Sequence, residues 1–131
     1  MSTVRILLVE DNEMNRALVR AILARTSEPR LRETHLFEAE DVAAARSALA
    51  NGEYDVILLD VHLPDGSGLT IAQEVSARPV GRPPIVALTA AALPREQAAA
   101  LDAGCDTFLA KPYTSSELVD TIVKLLPAGL P

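Results

Sequence analysis

Five short apolar runs, separated by stretches with helical spacing, restrict this chain to an α/β fold around a mostly parallel sheet. Four are clear: Ile6-Leu7-Leu8-Val9, Val56-Ile57-Leu58-Leu59, Ile85-Val86-Ala87-Leu88 and Phe108-Leu109-Ala110. The second in chain order is less distinct and falls within Leu31 to Glu38. Polar residues stand at or just after the four clear runs: Glu10 and Asp11, Asp60, Thr89, and Lys111. In an open parallel sheet all strand ends of one kind share an edge, and ligands bind in the crevice there. Three carboxylates, a hydroxyl and an ammonium gathered at that edge could hold a divalent cation and a phosphoryl group.

Strands are expected over Arg5 to Val9, Asp55 to Leu59, Ile85 to Leu88 and Thr107 to Ala110. A first helix follows from Glu13 to Arg25, with Met14, Ala17, Leu18, Ala21 and Ile22 expected on one buried face. The polar stretch Thr26-Ser27-Glu28-Pro29-Arg30 ends it. A second helix runs from near Asp41 to Asn51, with Gly52 as its stop. The segment His62-Leu63-Pro64-Asp65-Gly66-Ser67-Gly68 carries one proline and two glycines and is expected as turn rather than strand. Leu69 to Ala77 forms a third helix, stopped before Pro79. A fourth runs from Pro94 to Ala103, ended by Gly104. The fifth starts at Thr114, where Thr114-Ser115-Ser116-Glu117 is a capping-box pattern; Leu118, Ile122, Leu125 and Leu126 supply its buried face and Pro127 closes it.

The 131 residues suit one domain, 1–131, with a core from about residue 4 to 127. With aromatics at only 3%, Leu, Ile, Val and Ala must build that core. No apolar run approaches the length of a membrane span, and the N-terminus lacks a secretory pattern. The lone Cys105 cannot form an internal disulfide, fits a reducing cytoplasm, and follows Gly104 as a buried small hydrophobe. A net charge of −6 argues against broad binding to nucleic acid or anionic membranes.

Asp60 is the candidate nucleophile, since a carboxylate can attack phosphorus once repulsion between the two anions is relieved. Alone it would be an ordinary strand end or helix cap. The rigid loop after it, with Pro64 and Gly66, favours the chemical role. Glu10 and Asp11 are candidate metal ligands together with Asp60. Carboxylates about 4 Å apart repel by roughly 4 kcal/mol at an effective dielectric near 20, a cost that a hard cation removes. An all-oxygen site that keeps waters favours Mg²⁺, with Mn²⁺ as a substitute, and zinc lacks its Cys/His cluster. Asp11 or Asn12 could equally cap the first helix. Lys111 could pair with a phosphoryl oxygen, and Thr89 could donate to the same group. Taken singly, each is more simply a solvated or backbone-bonded residue.

The matching pieces Ile6-Leu7-Leu8-Val9-Glu10-Asp11-Asn12, Leu58-Leu59-Asp60-Val61-His62-Leu63-Pro64-Asp65-Gly66-Ser67-Gly68, Ala87-Leu88-Thr89-Ala90 and Phe108-Leu109-Ala110-Lys111-Pro112 occur in order. In these the chain resembles, over essentially its whole length, the receiver domain of bacterial response regulators in two-component signalling. Asn15, Arg16 and Ala90 resemble receivers of hybrid sensor histidine kinases. The resemblance implies a flavodoxin-like, doubly wound sheet of order 2-1-3-4-5 with five helices. It implies phosphorylation of Asp60 by a phosphohistidine on a histidine kinase or histidine phosphotransfer protein. It implies Mg²⁺ held by Asp11, Asp60 and the main-chain carbonyl of His62, with Glu10 acting through water. Thr89, Ala90 and Lys111 would bind the phosphoryl group, Thr89 and Phe108 would form the switch, and Lys111-Pro112 would be cis.

Glu10 stands where Asp is frequent, and Phe108 where Tyr is frequent. Phosphorylation would draw Thr89 inward, free space for Phe108 and repack the face of helix four, strand five and helix five. That face would bind a partner or pair two copies of the chain. The acyl phosphate lifetime would depend on side chains near the site, among them His62 and Ala91. The stretch from Thr26 to Leu36 is longer than usual and has no assigned function.

Three rivals share the fold class. An Asp-nucleophile phosphatase of the haloacid dehalogenase kind would want an Asp where His62 stands. A flavin or nucleotide binder would need a glycine-rich loop where Glu10-Asp11-Asn12-Glu13 would repel phosphates. A phosphorylation-independent interaction module would usually lack a site residue. The chain is therefore expected to be a signalling module with at most self-phosphorylation from small donors and self-dephosphorylation.

Overall fold

A computed structural model describes residues 3–90 and 94–126. Pro127, the four residues after it, and Ala91 lie outside the described residues.

Apolar runs buried on both faces become the centre of a parallel sheet. Strands β1 (Val4–Val9), β2 (Thr34–Ala39), β3 (Val56–Asp60), β4 (Ile85–Thr89) and β5 (Thr107–Ala110) assemble in the order β2-β1-β3-β4-β5. Every neighbouring pair is parallel, as the resemblance implied. All residues of β3 and β4 are buried. β2 is an edge strand with mixed burial, which explains its weak signal in the sequence.

Helices α1 (Glu13–Arg25), α2 (Val42–Asn51), α3 (Leu69–Ser76), α4 (Pro94–Asp102) and α5 (Ser115–Leu125) cover the two faces. α1 and α5 pack on one side, where Ile6, Leu8, Val19, Ile22, Leu58, Leu88, Leu118 and Ile122 share a core. The other side joins Leu7, Val9, Ala45, Ile57, Leu59, Ile71, Val75 and Ala100 beneath α2, α3 and α4. Cys105 is buried there, and burial pushes its thiol pKa up to about 11, with the Asp106 charge adding to the shift.

Three expectations need correction. The buried face of α1 is Val19, Ile22 and Leu23, whereas Met14 is 81% exposed and Leu18 47%. Residues 62–67 form a short antiparallel hairpin, with His62 opposite Ser67 and Leu63 opposite Gly66, rather than plain turn. Leu125 is only partly buried on α5, while Leu118, Ile122 and Leu126 are fully inside.

Local chemistry fixes the ends. Asn12, not Asp11, caps α1, its Oδ1 accepting from the Asn15 amide at 3.0 Å. Asp41 caps α2 in the same way through the Ala44 amide. Thr114 and Glu117 form both bonds of the capping box on α5. The segment after α1 contains a 3₁₀ turn, Pro29–Leu31, that buries Leu31 in the core and leaves a groove of about 660 Å³ against α5. Gly68 is required where the hairpin returns, because a Cβ there would sit 2.0 Å from the Asp60 carbonyl oxygen. No helix among the described residues is long and apolar enough to cross a membrane.

Candidate functional site

Register brings the polar strand ends together. Val9 pairs with Leu59, so the residues that follow, Glu10 and Asp60, emerge side by side between β1 and β3. Asp60 itself is opposite Leu88, one residue before Thr89, and Thr89 is opposite Ala110, one residue before Lys111. The Lys111 amide also donates to the Thr89 carbonyl at 2.8 Å. Five residues spread over a hundred positions thus meet at the carboxyl edge of the three central strands and β5.

One oxygen from each of Glu10, Asp11 and Asp60 lies within 4.8 Å of the others. Glu10 and Asp60 are buried, and Asp11 is exposed at the mouth. Lys111 Nζ enters this group, 2.6 Å from Glu10 Oε1 and 3.4 Å from Asp60 Oδ2. Burial works to lower the lysine pKa, but the Glu10 hydrogen bond and the Asp60 and Glu10 charges outweigh it and leave the ammonium favoured. Burial likewise raises the nearby Tyr113 phenol.

The Asp60 carboxylate is oriented by the His62 amide, which donates to Oδ1 at 3.1 Å. Glu10 is held from three sides, by the Asn12 amide at 3.1 Å, the Asn15 side-chain amide at 3.3 Å, and Lys111. Thr89 is 1% exposed, and its Oγ1 finds no hydrogen-bond partner among the described residues. Ala90 follows it at an exposed position. Phe108 is half-buried against the core beneath α2, α3 and α4. The Lys111–Pro112 peptide bond is cis.

Asp65 is a residue the sequence reading treated only as part of a turn. Its Oδ1 accepts from the Val42 amide at 2.8 Å and its Oδ2 from the Ala43 amide at 3.1 Å, fastening the hairpin to the first turn of α2. The Val42 bond chiefly lowers its pKa, with the Ala43 bond assisting against desolvation. An Asp between Pro64 and Gly66 reads as turn chemistry, and nothing in the sequence links it to a helix start 23 positions earlier.

The donor set suits a small hard cation. Three carboxylates of mixed exposure offer oxygens only, and the exposed mouth leaves room for retained waters, the pattern that favours Mg²⁺. Without a cation, the single ammonium of Lys111 stands against three clustered carboxylates, so negative charge is left uncompensated at the site.

A family model described as "Response regulator receiver domain" matches residues 6–123. Hybrid signal transduction histidine kinase G of Dictyostelium discoideum is 40% identical over 96% of this chain and 4% of its own length. Aerobic respiration control sensor protein ArcB of Escherichia coli (strain K12) is 37% identical over 95% of this chain and 15% of that protein. The chain therefore spans a small fraction of these relatives. The crystallised receiver domain of sensor histidine kinase PA1611 from Pseudomonas aeruginosa PAO1, with a magnesium ion coordinated in its active-site cleft, superposes with a TM-score of 0.81. It is 33% identical, and the match covers 95% of this chain and 98% of that one. Sequence, strand order and the clustered acids agree: the chain belongs to the response regulator receiver domain family, homologous to the phosphoacceptor domains of two-component systems.

Proposed function

We propose that Asp60 is the phosphoryl acceptor of this receiver and that the donor is a phosphohistidine on a histidine kinase or phosphotransfer protein. The observation that carries this reading is the meeting of Glu10, Asp11 and Asp60 beside Lys111, at the open end of a buried sheet. In the transfer, an Asp60 carboxylate oxygen forms a bond to phosphorus. The P–N bond to the partner's imidazole breaks, its electron pair stays on nitrogen, and that nitrogen takes a proton.

Asp11, Asp60 and the His62 carbonyl are the residues that would hold Mg²⁺, with Glu10 reaching it through water. When bound, the ion offsets the repulsion between the attacking carboxylate and the phosphoryl oxygens. Lys111 exchanges one of its carboxylate contacts for a phosphoryl oxygen, and the Thr89 hydroxyl and the Ala90 amide supply further donors. The unpartnered state of Thr89 Oγ1 supports that assignment, since a buried hydroxyl without a partner gains most from a new acceptor.

Drawing Thr89 toward the acceptor gives Phe108 room to move inward and repacks the face formed by α4, β5 and α5. That face then engages a partner or a second copy of the chain. A shift from 1:99 to 99:1 needs about 5.5 kcal/mol of preference for the active packing, so a weaker preference gives a graded output. The donor approaches over α1, where Met14 and Leu18 present exposed apolar surface one helical turn apart.

Incubation with a small phosphodonor such as phosphoramidate, with Mg²⁺, tests the reading by intact mass. The wild-type chain should gain one phosphoryl group and Asp60→Asn none. Equal labelling of the two proteins would relocate or abolish the site.

A further inference from the structure

We propose that Asn15 is a positioning residue that keeps Glu10 at the metal-facing end of the cleft, on a corner that Arg16 fixes. The inference rests on the acceptor-site reading above and extends it to a part of the sequence that reading leaves unused.

The Glu10 carboxylate hangs on a flexible side chain, yet it is 98% covered and bonded on both oxygens. Oε2 accepts from the Asn12 amide, whereas Oε1 is shared by Lys111 Nζ and Asn15 Nδ2. A carboxylate only accepts, so the nitrogen end of the Asn15 amide must face it. When Lys111 turns to a phosphoryl oxygen, Asn15 is the side-chain donor left on Oε1. It then holds the carboxylate against rotating out of the crevice, and its importance is greatest once the site is loaded.

Arg16 secures the ground on which this happens. Its Nη1 donates to the Glu10 main-chain carbonyl at 2.8 Å, while the same guanidinium pairs with Glu13 at 2.6 Å and Glu38 at 3.3 Å. One planar group thus ties the end of β1 to β2 and to the first turn of α1, the same turn from which Asn12 and Asn15 reach the Glu10 carboxylate. The pairing with Asn15 also accounts for Glu rather than Asp at residue 10. An Asp would end about 1.5 Å short, a full bond length, and would lose the contact.

The test is a double-mutant cycle read by Mg²⁺ titration calorimetry on Asn15→Ala, Glu10→Asp and the double variant, with no phosphodonor present. Asn15→Ala should weaken Mg²⁺ binding about 3- to 10-fold. Glu10→Asp should do the same, and the double variant should match Glu10→Asp within about twofold, because the bond can be lost only once. In the metal-free protein, the Asn15 side-chain amide resonances should shift on Glu10→Gln substitution. Multiplying losses in the double variant, or an Asn15→Ala affinity equal to wild type, would overturn the proposal. Labelling of Asp60→Asn, run alongside, separates the two ideas: persistent labelling would sink the acceptor assignment without touching the calorimetric cycle.

Discussion

Lys111 and Glu10, 101 residues apart in the chain, form the shortest contact within the acid cluster, with Nζ 2.6 Å from Oε1. The ammonium stands between two of the three clustered carboxylates, 2.6 Å from Glu10 and 3.4 Å from Asp60. It neutralises part of the charge in the resting protein, and under the proposed function it is the group that would turn to an incoming phosphoryl oxygen.

Removing that ammonium should expose the acids to one another. Lys111→Met leaves Glu10 and Asp60 without a counter-charge, though still held by their amide donors, and the metal-free protein should lose about 1–3 kcal/mol, less than a fully buried pair would cost. Urea unfolding with and without Mg²⁺ checks this: the ion should raise the variant's midpoint more than the wild type's. Equal increments in both proteins would contradict the account. The raised lysine pKa gives the sign of the pH effect. Its contribution is complete below the unfolded value near 10.5 and is lost as pH climbs through the folded one.

Thr89 should respond in the opposite sense. Its buried hydroxyl has no partner among the described residues, so Thr89→Val removes an unsatisfied group while keeping the shape. Resting stability should be unchanged or higher by up to about 1 kcal/mol, while the phosphorylation-dependent change in the chemical shifts of α4, β5 and α5 should shrink markedly. A variant that is destabilised and still switches fully would show that the hydroxyl serves the resting fold instead.

Cys105 gives a pH test. Its thiol is held up near 11 against an ordinary value of 9.0, chiefly by burial. The native state keeps the neutral thiol while the unfolded chain ionises earlier. The associated stability is present below pH 9.0 and disappears between about 9 and 11, a differential of about 2–3 kcal/mol. The wild type should therefore lose that much more than Cys105→Ala between pH 8 and 11 in paired urea titrations. Native-state alkylation at pH 8 should also be far slower than in urea; parallel losses or rapid alkylation would refute the burial argument.

The strand ends were legible because β1, β3 and β4 are buried on both faces and so appear as unbroken apolar runs, each stopping where chemistry begins. Parallel topology puts all of those ends on one edge, which makes the gathering of Glu10, Asp60, Thr89 and Lys111 there readable in advance. The orientation of α1 was not. Met14 and Leu18 form one apolar stripe, and Val19 and Leu23 another, offset by one residue or about 100° around the helix. Periodicity finds both stripes without saying which faces the sheet. Packing in the core shared with α5 selects the second and leaves Met14 and Leu18 exposed. The hairpin of residues 62–67 escaped notice because two pairs of bridged residues are too few for any alternation to show.

The carboxylate of Asp65 holds two amides of α2 at once. The loop that leaves Asp60 is therefore not free to drift alone. A shove delivered there must either carry the opening turn of α2 with it or rupture both of those bonds, so the segment behaves as a lever with its fulcrum on a neighbouring helix.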